Sequence, residues 1–261
     1  MKKVAFTFIL IVVLASTLAL YACDKEPNTT PSIPEFSKTY TIEYELNGGE
    51  NSALNPTTFT AGTDTIVFEN PTYIVNGLPA FNFMGWYDNA EFKGKKVTAL
   101  EKGSINNRKY YAKWKAVDYT LTYDTNGGIN NMDNPDRYNY TTETFDLGAP
   151  IKSGYKFLGW YEDANFETTP IVTIQQGSVG EHSVYARWGM LYAINYELDG
   201  GVCEDVIIEY CTEEAPLALP IPTKEGMEFA GWYTNSEFSG EAVTEIVAGS
   251  VGNLTFYAKW N

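Results

Sequence analysis

The chain reads as a mainly β protein, or α+β, built from three small modules in tandem. Three observations predict this. A signature of Gly-Trp-Tyr followed by Tyr-Ala-Lys/Arg-Trp occurs three times, at Gly85-Trp86-Tyr87 and Tyr111 to Trp114, Gly159-Trp160-Tyr161 and Tyr185 to Trp188, and Gly231-Trp232-Tyr233 and Tyr257 to Trp260. Its two tryptophans are 28 residues apart in every copy, and the pattern uses all six tryptophans of the chain. Each copy opens on a run of strict period-two alternation, the mark of a half-buried strand. The copies recur every 74 and then 72 residues. That exceeds solenoid periods of roughly 20 to 50 residues, so each copy is expected to close its own core.

The organisation expected is residues 1–22 as a lipoprotein signal peptide, 23–38 as a Pro/Thr-rich tether, and modules at 39–116, 117–189 and 190–261. Lys2 and Lys3 precede an apolar stretch from Val4 to Leu20, which then meets Leu20-Tyr21-Ala22-Cys23. A charged start, an apolar run and a small residue before the cut describe a signal peptide. The last four residues resemble a bacterial lipobox, which implies cleavage before Cys23 and lipidation of that cysteine. A plain signal peptide or an uncleaved anchor would also account for the apolar run. Asp24 to Lys38 carries three prolines and no apolar period, the composition of an extended linker.

Within each module the first strand alternates Tyr40, Ile42, Tyr44 and Leu46 against Thr41, Glu43 and Glu45; Tyr119, Leu121 and Tyr123 and then Tyr192, Ile194, Tyr196 and Leu198 repeat it. It ends in Asn47-Gly48-Gly49, Asn126-Gly127-Gly128 or Asp199-Gly200-Gly201, read as hairpin turns because Asn-Gly and Asp-Gly accept positive φ. Second strands follow at Thr57 to Thr60, Asp136 to Tyr140 and Val206 to Tyr210. Less regular segments, with room for one helical turn, run up to Pro71, Pro150 and Pro220. The third strand carries Gly-Trp-Tyr. Alternation places Tyr155, Phe157, Gly159 and Tyr161 opposite Lys156, Leu158 and Trp160, with the glycine marking a bulge or a close backbone approach. A polar loop with a recurring Phe92, Phe166 or Phe238 leads to the last strand, where Val184, Ala186 and Trp188 face away from Tyr185 and Arg187. The joints, Lys115 to Asp118 and Gly189 to Leu191, are very short.

These motifs together resemble the internalin B-repeat, or Listeria–Bacteroides repeat. The second copy fits best, through Pro150, Gly154, Tyr155, Phe157, Gly159, Trp160 and Tyr161. In the third, Met227 replaces the tyrosine, and the first has Ile74 to Phe81 inserted. The resemblance implies a small ubiquitin-like β-grasp module on exported bacterial proteins, with no enzyme activity and no universal ligand.

Charge excludes one class of partner. Thirty-three acidic residues face eighteen basic ones, for a net charge of −15. Removal of Lys2 and Lys3 with residues 1–22 leaves sixteen basic residues and a net −17. Nucleic acid needs a basic footprint that this chain lacks. Cys203 and Cys211 lie eight residues apart, and antiparallel neighbours could bring them within disulfide range, with two free thiols as the other reading. His182, the only histidine, is expected as a solvated loop residue. No metal set, cofactor motif or nucleophile signature is present, so no cofactor is expected. Asp88 to Glu91 and Glu162 to Asn165 read as Asx turns rather than calcium loops. The function expected is a non-catalytic, lipid-anchored surface protein that adheres or spaces, with an unidentified protein or glycan partner. The competing function is an envelope protein that binds glycan or cell wall through exposed aromatics, Tyr185 and Tyr257 being the first to test.

Overall fold

A computed structural model describes residues 36–261. Cys23, the signal segment and most of the expected tether lie outside them. Strands dominate, and one 3-10 turn (Thr212–Glu214) is the only helical element among the described residues.

The first repeat contains β1 (Tyr40–Glu45), β2 (Thr58–Phe59), β3 (Ile66–Val67), β4 (Ile74–Val75), β5 (Leu78–Pro79), β6 (Phe81–Tyr87), β7 (Ala99–Leu100) and β8 (Arg108–Ala116). Its sheet order is β2-β1-β8-β6. The first and last strands lie side by side and parallel, while β2 and β6 pair antiparallel on either flank. The second repeat uses β9 (Tyr119–Asp124), β10 (Arg137–Tyr138), β11 (Phe145–Asp146), β12 (Tyr155–Tyr161) and β13 (Thr173–Ile174). It closes on β14 (His182–Glu197), which pairs parallel with β9 and antiparallel with β12. The third adds β15 (Glu209–Cys211), β16 (Leu217–Ala218), β17 (Phe229–Tyr233), β18 (Glu245–Ile246) and β19 (Leu254–Trp260). Each repeat has its own core, centred on Trp86, Trp160 or Trp232.

Four details depart from the sequence reading. The irregular segments before the prolines form no helical turn in the first two repeats, and in the third the one turn is the 3-10 turn Thr212–Glu214. The segments themselves are the short strands β3, β11 and β16, paired with β7, β13 and β18. The Gly-Gly turns have positive φ at Asn47, Asn126 and Asp199 and at the glycine after each, as a type I′ turn requires. Yet they do not close tight hairpins. Each aims the chain at a bridge, Glu50 with Thr72, Ile129 with Ile151, or Val202 with Thr223, before the second strand returns.

Strict alternation also fails in the Gly-Trp-Tyr strand. A register shift falls between Phe157 and Gly159, and between Phe83 and Gly85 and Phe229 and Gly231. The extra residue turns Trp160 onto the face of Phe157, 5.5 Å between ring centroids. The glycine takes φ of 135°, 133° or 130° in the three copies, a conformation that a Cβ would oppose.

Finally, Gly189 to Leu191 is no joint. These residues lie inside β14, whose first half closes the second repeat and whose second half opens the third by pairing with β15 and β19. The two repeats therefore share one seven-stranded sheet. Val117 and Asp118 do separate β8 from β9. There the inserted hairpin β4–β5 reaches across: Tyr119 donates to Pro79 O at 2.7 Å, and Val117 N–H donates to Ala80 O.

Candidate functional site

The six signature tryptophans divide into two kinds. Trp86, Trp160 and Trp232 are almost wholly buried. Each indole N–H donates to a carbonyl, of Glu69, Gly148 or Pro220, so burial leaves none of these three N–H groups unpaired. Trp114, Trp188 and Trp260 are half-buried and lie against the Gly-Gly turns. Their N–H groups donate to Leu46, Thr125 and Leu198 at 2.8, 2.9 and 3.0 Å. The second glycine of each turn admits the ring. A Cβ at Gly49, Gly128 or Gly201 would stand 2.4, 2.6 or 2.4 Å from the indole Cζ2.

Beside the half-buried indole of the second repeat, Trp188, runs a groove. It encloses about 470 Å³, between Ile129, Ile151, Lys152, Tyr155, Phe157 and Trp188. Lys152 lies over Tyr155 at 4.3 Å and Trp188 at 5.8 Å. Lys224 covers Trp260 at 5.6 Å in the third repeat. In the first, Tyr73 occupies that position, 5.7 Å from Trp114 and edge-on.

A second surface also recurs. Phe92, Phe166 and Phe238 sit at φ of 54°, 61° and 52°, uncommon for a bulky residue. Each packs edge-on against Tyr87, Tyr161 or Tyr233, and Lys113, Arg187 or Lys259 lies over that tyrosine. The loops that impose this conformation are closed by Asx contacts. Asn89 and Asn235 each bond both polar groups of the backbone four residues on. Asp163 accepts from Asn165, Glu167 and Thr168, which holds its carboxyl down to about 2. Tyr185 and Tyr257 are half-exposed on the neighbouring strands, opposite Tyr161 and Tyr233.

The three sets of indole–turn contacts and stacks arise from one recurring motif. A profile of the Listeria–Bacteroides repeat domain matches residues 40–113, 119–187 and 192–259. The chain belongs to the Listeria–Bacteroides repeat family. It is 29% identical over 240 residues to a protein of Evansella cellulosilytica described as a Gly-rich membrane protein, covering 85% of this chain and 24% of the relative. A second Evansella cellulosilytica membrane protein is 28% identical over 245 residues, covering 85% of this chain and 32% of the relative. Internalin H of Listeria monocytogenes is 29% identical over 115 residues, 43% of this chain and 20% of its own length. The chain thus spans only a third or less of these relatives. No solved structure matches it significantly.

The remaining expectations fall within these Listeria–Bacteroides repeats as follows. Cys203 and Cys211 are not bonded to each other in the structure. Both sit on the same returning arm beyond the Asp199 turn. Cys211 lies opposite Leu191 on β14, whereas Cys203 stays beside the turn. Burial and the Glu214 carboxylate, to which its Sγ donates at 3.3 Å, push the Cys211 thiol up. His182 begins β14 instead of sitting in a loop, and its Nδ1 meets Glu162 at 2.8 Å. Among the described residues no three His, Cys, Asp or Glu side chains converge on a metal-sized site, and no helix is long and apolar enough to cross a membrane. Sequence reasoning missed the groove. Its walls come from three segments, two joined by the bridge between Ile129 and Ile151 and the third, Trp188, brought by β14 and its bond to Thr125 O.

Proposed function

We propose that this chain is a non-catalytic display array, an adhesive or spacer of three β-grasp-like repeats held outside a bacterial membrane by a lipid on Cys23. The observation that carries it is β14. One sixteen-residue strand serves two repeats, so their contact surfaces stand at a fixed offset, as a spacer or a multivalent adhesin needs. The β-grasp reading draws support from the parallel first and last strands of every repeat. The likeness to membrane proteins and to Internalin H supports an exported, surface-facing address.

Protease treatment of intact cells should remove the repeats, and the purified chain should adhere to a specific matrix protein, glycan or cell-wall preparation without converting it. Protection of the repeats on intact cells would overturn surface display. Turnover of any member of a chromogenic hydrolase panel would overturn the non-catalytic reading. A second reading, glycan capture, is favoured by the half-exposed Tyr185 and Tyr257 beside the cation-covered stacks. A glycan array separates it from protein adhesion.

A further inference from the structure

The places beside Trp114, Trp188 and Trp260 share one frame, an indole against a Gly-Gly turn, but are filled differently. In the first repeat the slot is full. Tyr73 lies over Gly48, its ring 2.9 Å from where a Cβ would stand. Tyr140, from the second repeat, then packs on Tyr73 and Phe81 at 5.9 and 5.6 Å. This surface therefore already accepts a tyrosine ring from a neighbouring folded unit.

The next junction lacks that ring. Tyr138 pairs with Tyr119, and Tyr210 pairs with Tyr192 at the equivalent place. Two residues further on, Tyr140 is matched by Thr212, whose hydroxyl donates to Ser250 O instead. An ion pair, Lys156 with Glu214, holds this junction. The groove of the second repeat is left open, and its rim residues Ile129 and Ile151 are each 68% exposed. Apolar side chains grouped around a concave site are what a docking surface presents. The third repeat offers a poorer slot, because Met227 stands where Tyr155 does and Lys224 is drawn onto Asp199.

We propose that the groove between Ile129, Ile151, Lys152, Tyr155 and Trp188 is a docking slot for a tyrosine side chain of a partner protein. This rests on the contact-surface reading above and names the partner chemistry. The ring would lie on Lys152 and Tyr155, the counterparts of the Tyr73 and Phe81 that Tyr140 covers, with the isoleucines at its edge. Lys152 Nζ donates to Asn126 O at 2.8 Å, and its other N–H groups remain to meet the phenol oxygen. A sugar would need several converging polar partners, and among its lining side chains this groove supplies only Lys152, Ser153 and the Tyr155 hydroxyl, the Trp188 N–H being spent on Thr125 O.

The test is a titration of the chain, with labelled isoleucine methyls and indole N–H groups, using N-acetyltyrosinamide, N-acetylalaninamide and N-acetylglucosamine followed by NMR. Saturable shifts at Ile129, Ile151 and Trp188 with the tyrosine probe alone are expected. Ile151→Asp, at an exposed position, should weaken them by about ten-fold or more, as loss of an interface anchor does. Shifts that Ile151→Asp leaves unchanged, shifts only with the sugar, or no localised shifts would each overturn the proposal. None of these would touch surface display, which the protease experiment judges separately.

Discussion

At the residue scale, the repeats show how much depends on a single missing carbon or a single unpaired atom. Gly128 is not needed for φ; it is needed because Trp188 Cζ2 and Ile151 O would stand 2.6 and 2.9 Å from a Cβ. Gly128→Ala should therefore destabilise the second repeat by roughly 1–3 kcal/mol, as overpacking does, and differential scanning calorimetry will read it. Tyr123 and Tyr196 occupy the same position in successive repeats, and burial pushes both hydroxyls up to about 12. Tyr123 donates to Pro135 O, whereas the Tyr196 hydroxyl is buried with no partner. Tyr123→Phe should cost about 1 kcal/mol, while Tyr196→Phe should be neutral or stabilising; equal losses in chemical denaturation would refute the difference. For Asp163 the folded value, about 2, lies below the ordinary 3.8. Its hydrogen bonds stabilise the loop above the unfolded value and are lost as pH falls through about 2. The side-chain carboxyl resonance should titrate there, and a midpoint near 4 would contradict the capped loop.

At the element scale, the bulge and the shared strand matter most. The bulge at Gly159 lets Phe157 and Trp160 enter the same core three residues apart, which a regular strand forbids. Trp160→Ala should cost on the order of 3–5 kcal/mol through the cavity it leaves. The alternation of Val184, Ala186 and Trp188 was legible because β14 is regular there. Its continuation through Gly189 was not, because a glycine flanked by two repeats resembles a linker. Gly189 sits instead against Cys211 and Glu213, buried under the third repeat. Gly189→Pro removes a ladder position in mid-sheet. It should split one joint melting transition of the second and third repeats into two; an unchanged thermogram would show that the halves of β14 are energetically independent.

At the scale of the whole molecule, the proposed display array draws on the acidic balance and on the strand that the second and third repeats share. Its net charge, −17 once residues 1–22 are removed, should keep neighbouring copies apart on a surface. The proposed anchor gives the array its position, since each buried lipid methylene contributes about 0.8 kcal/mol. Cys23→Ala should abolish fatty-acid labelling in metabolic experiments; equal labelling of both proteins would remove the lipid from this account.

The sequence by itself determined the repeat, its long strands and the two motif positions of its tryptophans, because recurrence and period two are local, one-dimensional signals. It also exposed the acidic balance and the absence of a basic footprint. Tertiary structure alone decided how Trp160 enters the core on the same side as Phe157, since a bulge reverses parity without changing composition. It alone placed both cysteines on one arm and turned an expected joint into β14. Only there did Tyr140 meet Tyr73 while Thr212 left the next groove open. Such outcomes depend on which distant segments share a register, and register is set by side chains packing across the sheet rather than by the order of residues along one strand.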